Sequence, residues 1–310
     1  MISELFTAQV LIGIATSGIR LATPYLYASI GESLGQRSGV LNLGVEGQML
    51  LGAFAGFYVT FVTENAWLGL LAALTVGAVM GLLMAVISVT LQAQQGISGI
   101  GIYLFGLGLS ELLFKVMLGT VETVVGFRPA HIPFLSSIPV VGKIFFQHNV
   151  LVYGAFLLVP LAWFILNKTT LGLKIRAVGE NPEAADSLGV SVVRVRYFTL
   201  IMGGTLSGIA GASLSIALLN VFQQNLTSGL GFIAVALVYF GGWRPVGVMA
   251  GALIFSTVNA LQVWMQTLGV PIPPELAIML PYVLTIVALV VMVQRVRPPS
   301  ALTKPFERGA

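Results

Sequence analysis

Long apolar runs, broken at intervals by short polar turns, form the dominant pattern along this chain. A run of roughly 20 apolar residues crosses a bilayer as a helix. The pattern predicts an all-α, polytopic membrane protein with about nine transmembrane helices (eight to ten), in a single transmembrane domain over residues 1–310. The predicted spans are 5–30, 46–63, 67–91, 97–118, 149–167, 197–219, 230–242, 245–267 and 276–294. The piece 230–242 is short for a full span, which predicts a broken or re-entrant helix.

The composition agrees with a membrane protein. Only 8% of the residues are charged and 57% are hydrophobic, whereas a soluble domain carries about 25% charged residues. The absence of cysteine excludes disulfides, thiol nucleophiles and cysteine-ligated metals. The cationic side chains are spread over short loops and the tail, so we expect membrane lipid around the protein and no nucleic-acid partner.

The distribution of lysine and arginine predicts an orientation. Short loops rich in these residues stay in the cytoplasm. We therefore place the loop 168–196 and the tail 295–310 inside, and the loop 119–148 outside. An odd number of spans then puts the N-terminus outside and the C-terminus inside.

Two glycine-interrupted segments, Gly96–Gly108 and Gly229–Gly242, suggest two related halves. Paired segments of this kind line substrate paths between inverted repeats in transporters. The alternative is ordinary close packing of helices through small residues.

The cytoplasmic loop contains the stretch NPEAADSL, which has the signals of a short helix. Asn181 stands at the N-cap, Pro182 at the first helical position and Gly189 after the end. This helix either lies along the membrane surface without a partner or receives a soluble subunit.

Three motifs resemble permease subunits of ATP-binding-cassette (ABC) importers, in the branch that serves simple sugars, nucleosides and branched-chain amino acids. The pattern from Gly172 to Val190 resembles their coupling loop. RLATP (20–24), followed by GQRSGVLNLGVEG (35–47), is similar to the nucleoside type, and FGGWRPVGVMAGALIF (240–255) resembles a third segment. Gln36 departs from the pattern, since an acidic residue is expected before Arg37.

The resemblance implies a membrane channel subunit and no enzyme. ATP and Mg²⁺ would bind to a partner ATPase, and this chain has no P-loop pattern of its own. A second, non-identical permease and an external substrate-binding lipoprotein would complete an importer in the bacterial cytoplasmic membrane. The residues expected to couple to the ATPase are Arg176, Asn181, Glu183, Ala184, Ala185, Asp186 and Gly189.

Charged and amide side chains in the first third of the chain predict a polar cluster. Charges within a membrane face a bundle interior, an aqueous cavity or an interface. We expect Arg20, Arg37, Asn42 and Glu46 to form such a cluster on the cytoplasmic half of the pathway. It serves as an inner gate or as a purely structural ion-pair cluster.

Neutral polar side chains are the candidates for the substrate path, because a nucleoside has a flat base, hydroxyls and no charge. The alternative role for each is hydrogen bonding between helices. The candidates are Gln95, Ser98, Asn220, Gln223, Asn259 and Gln262.

The sequence is also compatible with other transport functions. A permease for simple sugars or branched-chain amino acids fits the same branch. An ion-coupled carrier usually keeps an acidic group near the midplane, and 67–110 and 197–243 contain none. His131 and His148 have no acidic ligand patterned between them, so no metal site is expected.

Overall fold

A computed structural model describes residues 7–268 except 132, 134 and 137, then residues 273–292 and 297–307. Over these residues the regular secondary structure is helical apart from two short strands, which confirms the predicted all-α class. The helices are α1 (Ala8–Arg37), α2 (Val45–Thr63), α3 (Ala66–Ala85), α4 (Gln95–Met117), α5 (Val141–Phe145), α6 (Val150–Lys168), α7 (Thr170–Glu180), α8 (Pro182–Ser187), α9 (Val192–Ser213), α10 (Leu230–Phe240), α11 (Pro245–Thr267) and α12 (Pro274–Met292). The strands β1 (Ala130–His131) and β2 (Gln147–His148) pair antiparallel.

Six helices in the described part of the chain are long and apolar enough to cross a membrane. They are α2, α3 with the π-helical turn Val86–Thr90, α4, α6, α9 with the π-helical turn Leu214–Leu218, and α11. The protein is therefore a multi-pass membrane protein, and the expected count of about nine spans is not confirmed. The helix predicted over 230–242 is present as α10, with only 11 residues.

Glycine contacts hold the centre of the bundle together. α9 packs against α1, α2 and α3. A methyl group added to Gly52 of α2 would lie 2.5 Å from the Cα atom of Gly208 in α9. The backbones of these helices therefore meet directly.

The bundle has two distinct ends. α7, α8 and residues 297–307 lie together at one of them, which we call the coupling end. There the amide of Ala301 donates to the carbonyl of Gly179 at 2.9 Å, and that of Thr303 donates to Gly39 at 3.1 Å. The described residues between 119 and 148 lie at the opposite, loop end, where the amide of Val124 donates to Asn220 at 3.0 Å.

Candidate functional site

The carboxylate of Glu46, in the first turn of α2, binds the start of α10. Its Oε1 accepts the hydroxyl of Thr227 at 2.5 Å and the amide of Gly229 at 2.6 Å. Its Oε2 accepts the amide of Gly231 at 2.6 Å. The first amides of a helix have no partner within the helix and carry partial positive charge. Glu46 therefore satisfies and neutralises the N-terminus of α10.

This N-terminus lies inside the bundle. The preceding loop leaves the loop end at Asn220 and buries Phe222 and Thr227 completely. α10 ends at Phe240, and Trp243 in the turn after it contacts the last turn of α1 at the coupling end. Eleven helical residues cover about 16 Å, roughly half of the hydrocarbon core. Helices that begin inside the membrane are a feature of transporter substrate sites.

A second buried hydrogen-bond network joins α1 to the turn that follows α10. Gln36 Nε2 donates to Oε1 of Glu32 at 2.9 Å, and Gln36 Oε1 accepts the indole N–H of Trp243 at 2.8 Å. The same Glu32 oxygen accepts the amide of Asn42 at 3.0 Å. Gln36 acts as donor and acceptor at once, which an ionised carboxylate cannot do. Gln36, which departs from the family pattern, therefore makes hydrogen bonds that the expected ionised acidic residue could not make together.

The structure divides the four residues of the expected polar cluster. Asn42 bonds Gln48 at 3.2 Å and lies in the same region as Glu46. Arg37 donates through Nε to the carbonyl of Trp243 at 3.0 Å. Arg20 is exposed and lies in the same helix as Arg37, about 25 Å away along its axis. The structure therefore keeps Asn42 near Glu46, and it places Arg37 beyond the opposite end of α10 and Arg20 farther along α1.

Glu32 and Trp243 were not among the expected site residues. Glu32 precedes Gln36 by four positions, so a helical reading places both on one face of α1. The four-residue spacing could therefore have identified Glu32 as a partner of Gln36 from the sequence. Trp243 is 207 positions from Gln36, and nothing local in the sequence links them.

The six candidates for the substrate path do not meet at one place. Gln95 and Ser98 lie in the first turn of α4, where Oε1 of Gln95 accepts the amide of Leu41 at 2.8 Å. Asn220 and the exposed Gln223 lie in the loop before α10. Asn259 and Gln262 are half-buried on α11.

α8 presents an outward face at the coupling end. The Asn181 side chain caps it by accepting the amide of Ala184 at 3.0 Å, and Gly189 follows with φ +83°. Ala185 is buried against α7 and α9, in a cluster that includes Ile175 and Val192. The exposed residues between Asn181 and Gly189 are Asn181, Glu183, Ala184, Ser187, Leu188 and Gly189.

Comparisons with known proteins agree with this architecture. The family model described as "Branched-chain amino acid transport system / permease component" matches residues 14–289. A guanosine ABC transporter permease protein of Bacillus subtilis is 36% identical over 97% of this chain and 98% of its own length. A nucleoside ABC transporter permease protein of Lactococcus lactis is 35% identical over 90% of this chain and 92% of its own length.

A putative glucose ABC transporter permease protein of Haloferax volcanii is 41% identical over 85% of this chain and 80% of its own length. No solved structure matches the chain.

Proposed function

The chain belongs to the family of branched-chain amino acid transport system permease components, and from that premise we propose that it conducts nucleosides through the cytoplasmic membrane as part of an ABC importer. Members of this family are membrane channel subunits and not enzymes. The observation that carries the nucleoside assignment is the similarity to the guanosine permease, which extends over 97% of this chain.

The chemistry of the interior supports a neutral, polar cargo. Glu46 occupies the N-terminus of α10 with its own carboxylate, so that position offers no free positive end to an anionic substrate. Half-buried amides such as Asn259 and Gln262 offer hydrogen bonds without charge. Gln95, Ser98, Asn220 and Gln223 remain proposals as further contacts along the path.

A sugar is the second candidate cargo, because the putative glucose permease of Haloferax volcanii is 41% identical to this chain. A nucleoside and a sugar both present hydroxyl groups to a permease. They differ in the flat base, which stacks on aromatic side chains.

We assign the docking of a partner ATPase to α8. Leu188 has 84% of its surface exposed, the highest fraction among the large hydrophobic side chains of the described residues. Together with Ala184 and Glu183 it forms a small apolar spot with an acidic rim. ATP and Mg²⁺ would bind to that partner and not to this chain. Arg176, Asn181, Ala185, Asp186 and Gly189 would hold the segment in position.

A series of contacts connects α8 to the half-helix α10, so movement of α8 would be transmitted to it. α8 packs on α7, and α7 packs on α1. A methyl group on Gly179 would overlap the carbonyl of Arg37, so the two helices touch through backbone. Arg37 and Gln36 in turn bond Trp243 in the turn after α10. A push on α8 would thus reach the helix whose other end binds Glu46.

Membership of this family also predicts the other subunits of the importer and the orientation of this chain. A second permease would pair with this one, and a lipoprotein would deliver substrate to residues 119–148 on the outside. Nine crossings result if α1, α12 and the loop with α10 are added to the six apolar helices. The N-terminus would then lie outside and the C-terminus inside, in a bacterial cytoplasmic membrane.

Deletion of the gene in the source organism tests the proposed cargo. Uptake of labelled guanosine, uridine and glucose is measured in parallel, with and without a plasmid copy. We expect nucleoside uptake to be lost and restored, with glucose uptake unchanged. Loss of glucose uptake alone would assign the sugar function, and no change in any of the three would reject the proposal.

A further inference from the structure

Four arginines from separate parts of the chain line one cavity at the coupling end. Its volume is about 370 Å³. The arginines are Arg37, Arg176, Arg244 and Arg297. Glu180 is the one carboxylate among the described residues that line it, and its Oε2 already accepts the hydroxyl of Ser300 at 3.0 Å. The cavity therefore holds an excess of positive charge.

Two of the guanidinium groups are held in position by the fold. Arg37 donates through Nε to the carbonyl of Trp243 at 3.0 Å, and Arg176 donates through Nε to that of Gly172 at 3.4 Å. These bonds do not use the terminal nitrogens, and the two terminal nitrogens of one guanidinium can bind an oxyanion in a bidentate manner. Both side chains are half-buried.

The like charges in the cavity repel each other. Arg37 lies within electrostatic range of Arg176 and Arg244, which oppose its charge, and Glu180 compensates only in part. Partly buried charges are screened less by salt than exposed ones. An arrangement of four cations around one anion is therefore stabilised by a bound anion.

The position of the cavity suits the depth of phospholipid headgroups. α1 ends at Arg37 and α11 begins after Arg244, and these two helices pack together along the bundle. The cavity thus lies where two helices of the bundle end. Basic pockets at such positions bind the phosphates of anionic lipids.

We propose that this cavity is a binding site for a phosphate group. Arginine matches phosphate in geometry, with two parallel N–H···O bonds per guanidinium. The phosphate comes from the headgroup of an anionic phospholipid or from free phosphate. The proposal does not depend on which solute the protein transports.

Thermal unfolding of the purified full-length chain in neutral detergent tests the site. The probes are short-chain phosphatidylglycerol, short-chain phosphatidylcholine, and sodium phosphate against sodium chloride at equal ionic strength. We expect phosphatidylglycerol or phosphate to raise the Tm, and phosphatidylcholine and chloride to have no such effect. An effect of the lipid alone assigns a headgroup, and an equal effect of free phosphate assigns the free anion; both support the site.

Matched variants separate the cavity from general charge. In Arg176→Gln/Arg244→Gln the half-saturating concentration should rise by about tenfold per arginine removed, as expected for hydrogen bonds to a charged group. Arg194→Gln removes an exposed arginine outside the cavity and should bind as the wild type does. If the double variant does not fold, the exposed Arg244→Gln serves alone. No Tm increase in the wild type, or equal weakening in Arg194→Gln, would overturn the proposal.

Discussion

Oε2 of Glu46 accepts the backbone N–H of Gly231 at 2.6 Å, across 185 positions of sequence. The bond joins the first turn of α2 to the first turn of α10 inside the bundle. Because Oε1 binds two further donors, a single side chain fixes the start of the half-helix. This contact leads to the first prediction.

Replacement Glu46→Gln should destabilise the protein and reduce transport. Glutamine removes the charge and turns an NH₂ group toward backbone N–H donors, so at least one buried amide loses its acceptor. We expect a loss of about 2–3 kcal/mol in the free energy of unfolding. Thermal unfolding in detergent and uptake assays measure the two effects. Glu64→Gln, at the exposed end of the same helix, is the control; an unchanged Glu46→Gln variant would reject this role.

The hydrogen bond between Gln36 and Trp243 should couple the effects of two substitutions. Gln36→Leu leaves the indole N–H without an acceptor, and Trp243→Phe leaves the amide oxygen without a donor. Each change should cost about 1–3 kcal/mol, and the double variant should cost less than their sum. As a control, the exposed Trp67→Phe replaces Trp243→Phe in the cycle, and its effect should add to that of Gln36→Leu. Additive effects for Gln36 and Trp243 would contradict the bond.

Two glycines should respond in opposite directions to alanine. In Gly52→Ala the new methyl group meets the backbone of Gly208 at 2.5 Å, and we expect a loss of about 1–3 kcal/mol. Gly101→Ala in α4 meets nothing within 4 Å. There the higher helix propensity of alanine should stabilise the protein by up to about 1 kcal/mol. The unfolding midpoints of both variants are measured relative to the wild type. Shifts in the same direction would contradict the prediction.

The exposed tip of α8 should be needed for binding of the ATPase but not for folding. Leu188→Asp places a charge where the apolar partner surface is expected, while Leu188 makes little contact with the permease itself. We expect the ATPase to be lost from co-purification, with the Tm unchanged. Leu135→Asp, an exposed leucine at the loop end, is the matched control. Retention of the ATPase by the Leu188 variant would place the docking surface elsewhere.

His148 should make the protein less stable in mildly acidic solution. Burial lowers the pKa of this imidazole, and the nearby charge of Arg20 acts in the same direction, although the bond to Ile144 opposes them. Between the lowered pKa and the ordinary value of about 6.5, the unfolded chain binds more protons than the folded one. Stability is therefore full above about pH 6.5 and falls as the pH decreases through this window.

The measurement compares Tm values between pH 7.5 and 5.5 for the wild type and for His148→Gln. The decrease should be larger in the wild type, because the variant lacks the titrating group. His131 is present in both proteins and cancels in the comparison. Equal decreases would exclude His148 as the cause.

The sequence alone determined the class of the protein, the approximate places of most helices and the local signals of α8. Each depends on residues that are neighbours along the chain. Runs of apolar side chains define membrane helices, and Asn181, Pro182 and Gly189 mark the limits of a short helix within nine positions.

Only the tertiary structure decided which polar groups meet. Glu46 was expected beside Arg20 and Arg37, yet its partners are Thr227, Gly229 and Gly231 on a distant half-helix. The reason is that a buried carboxylate or amide must find a hydrogen-bond partner, and the sequence does not state which helix will bring one. Helix packing settles that choice, and it depends on the close approach of backbones along the whole of each helix.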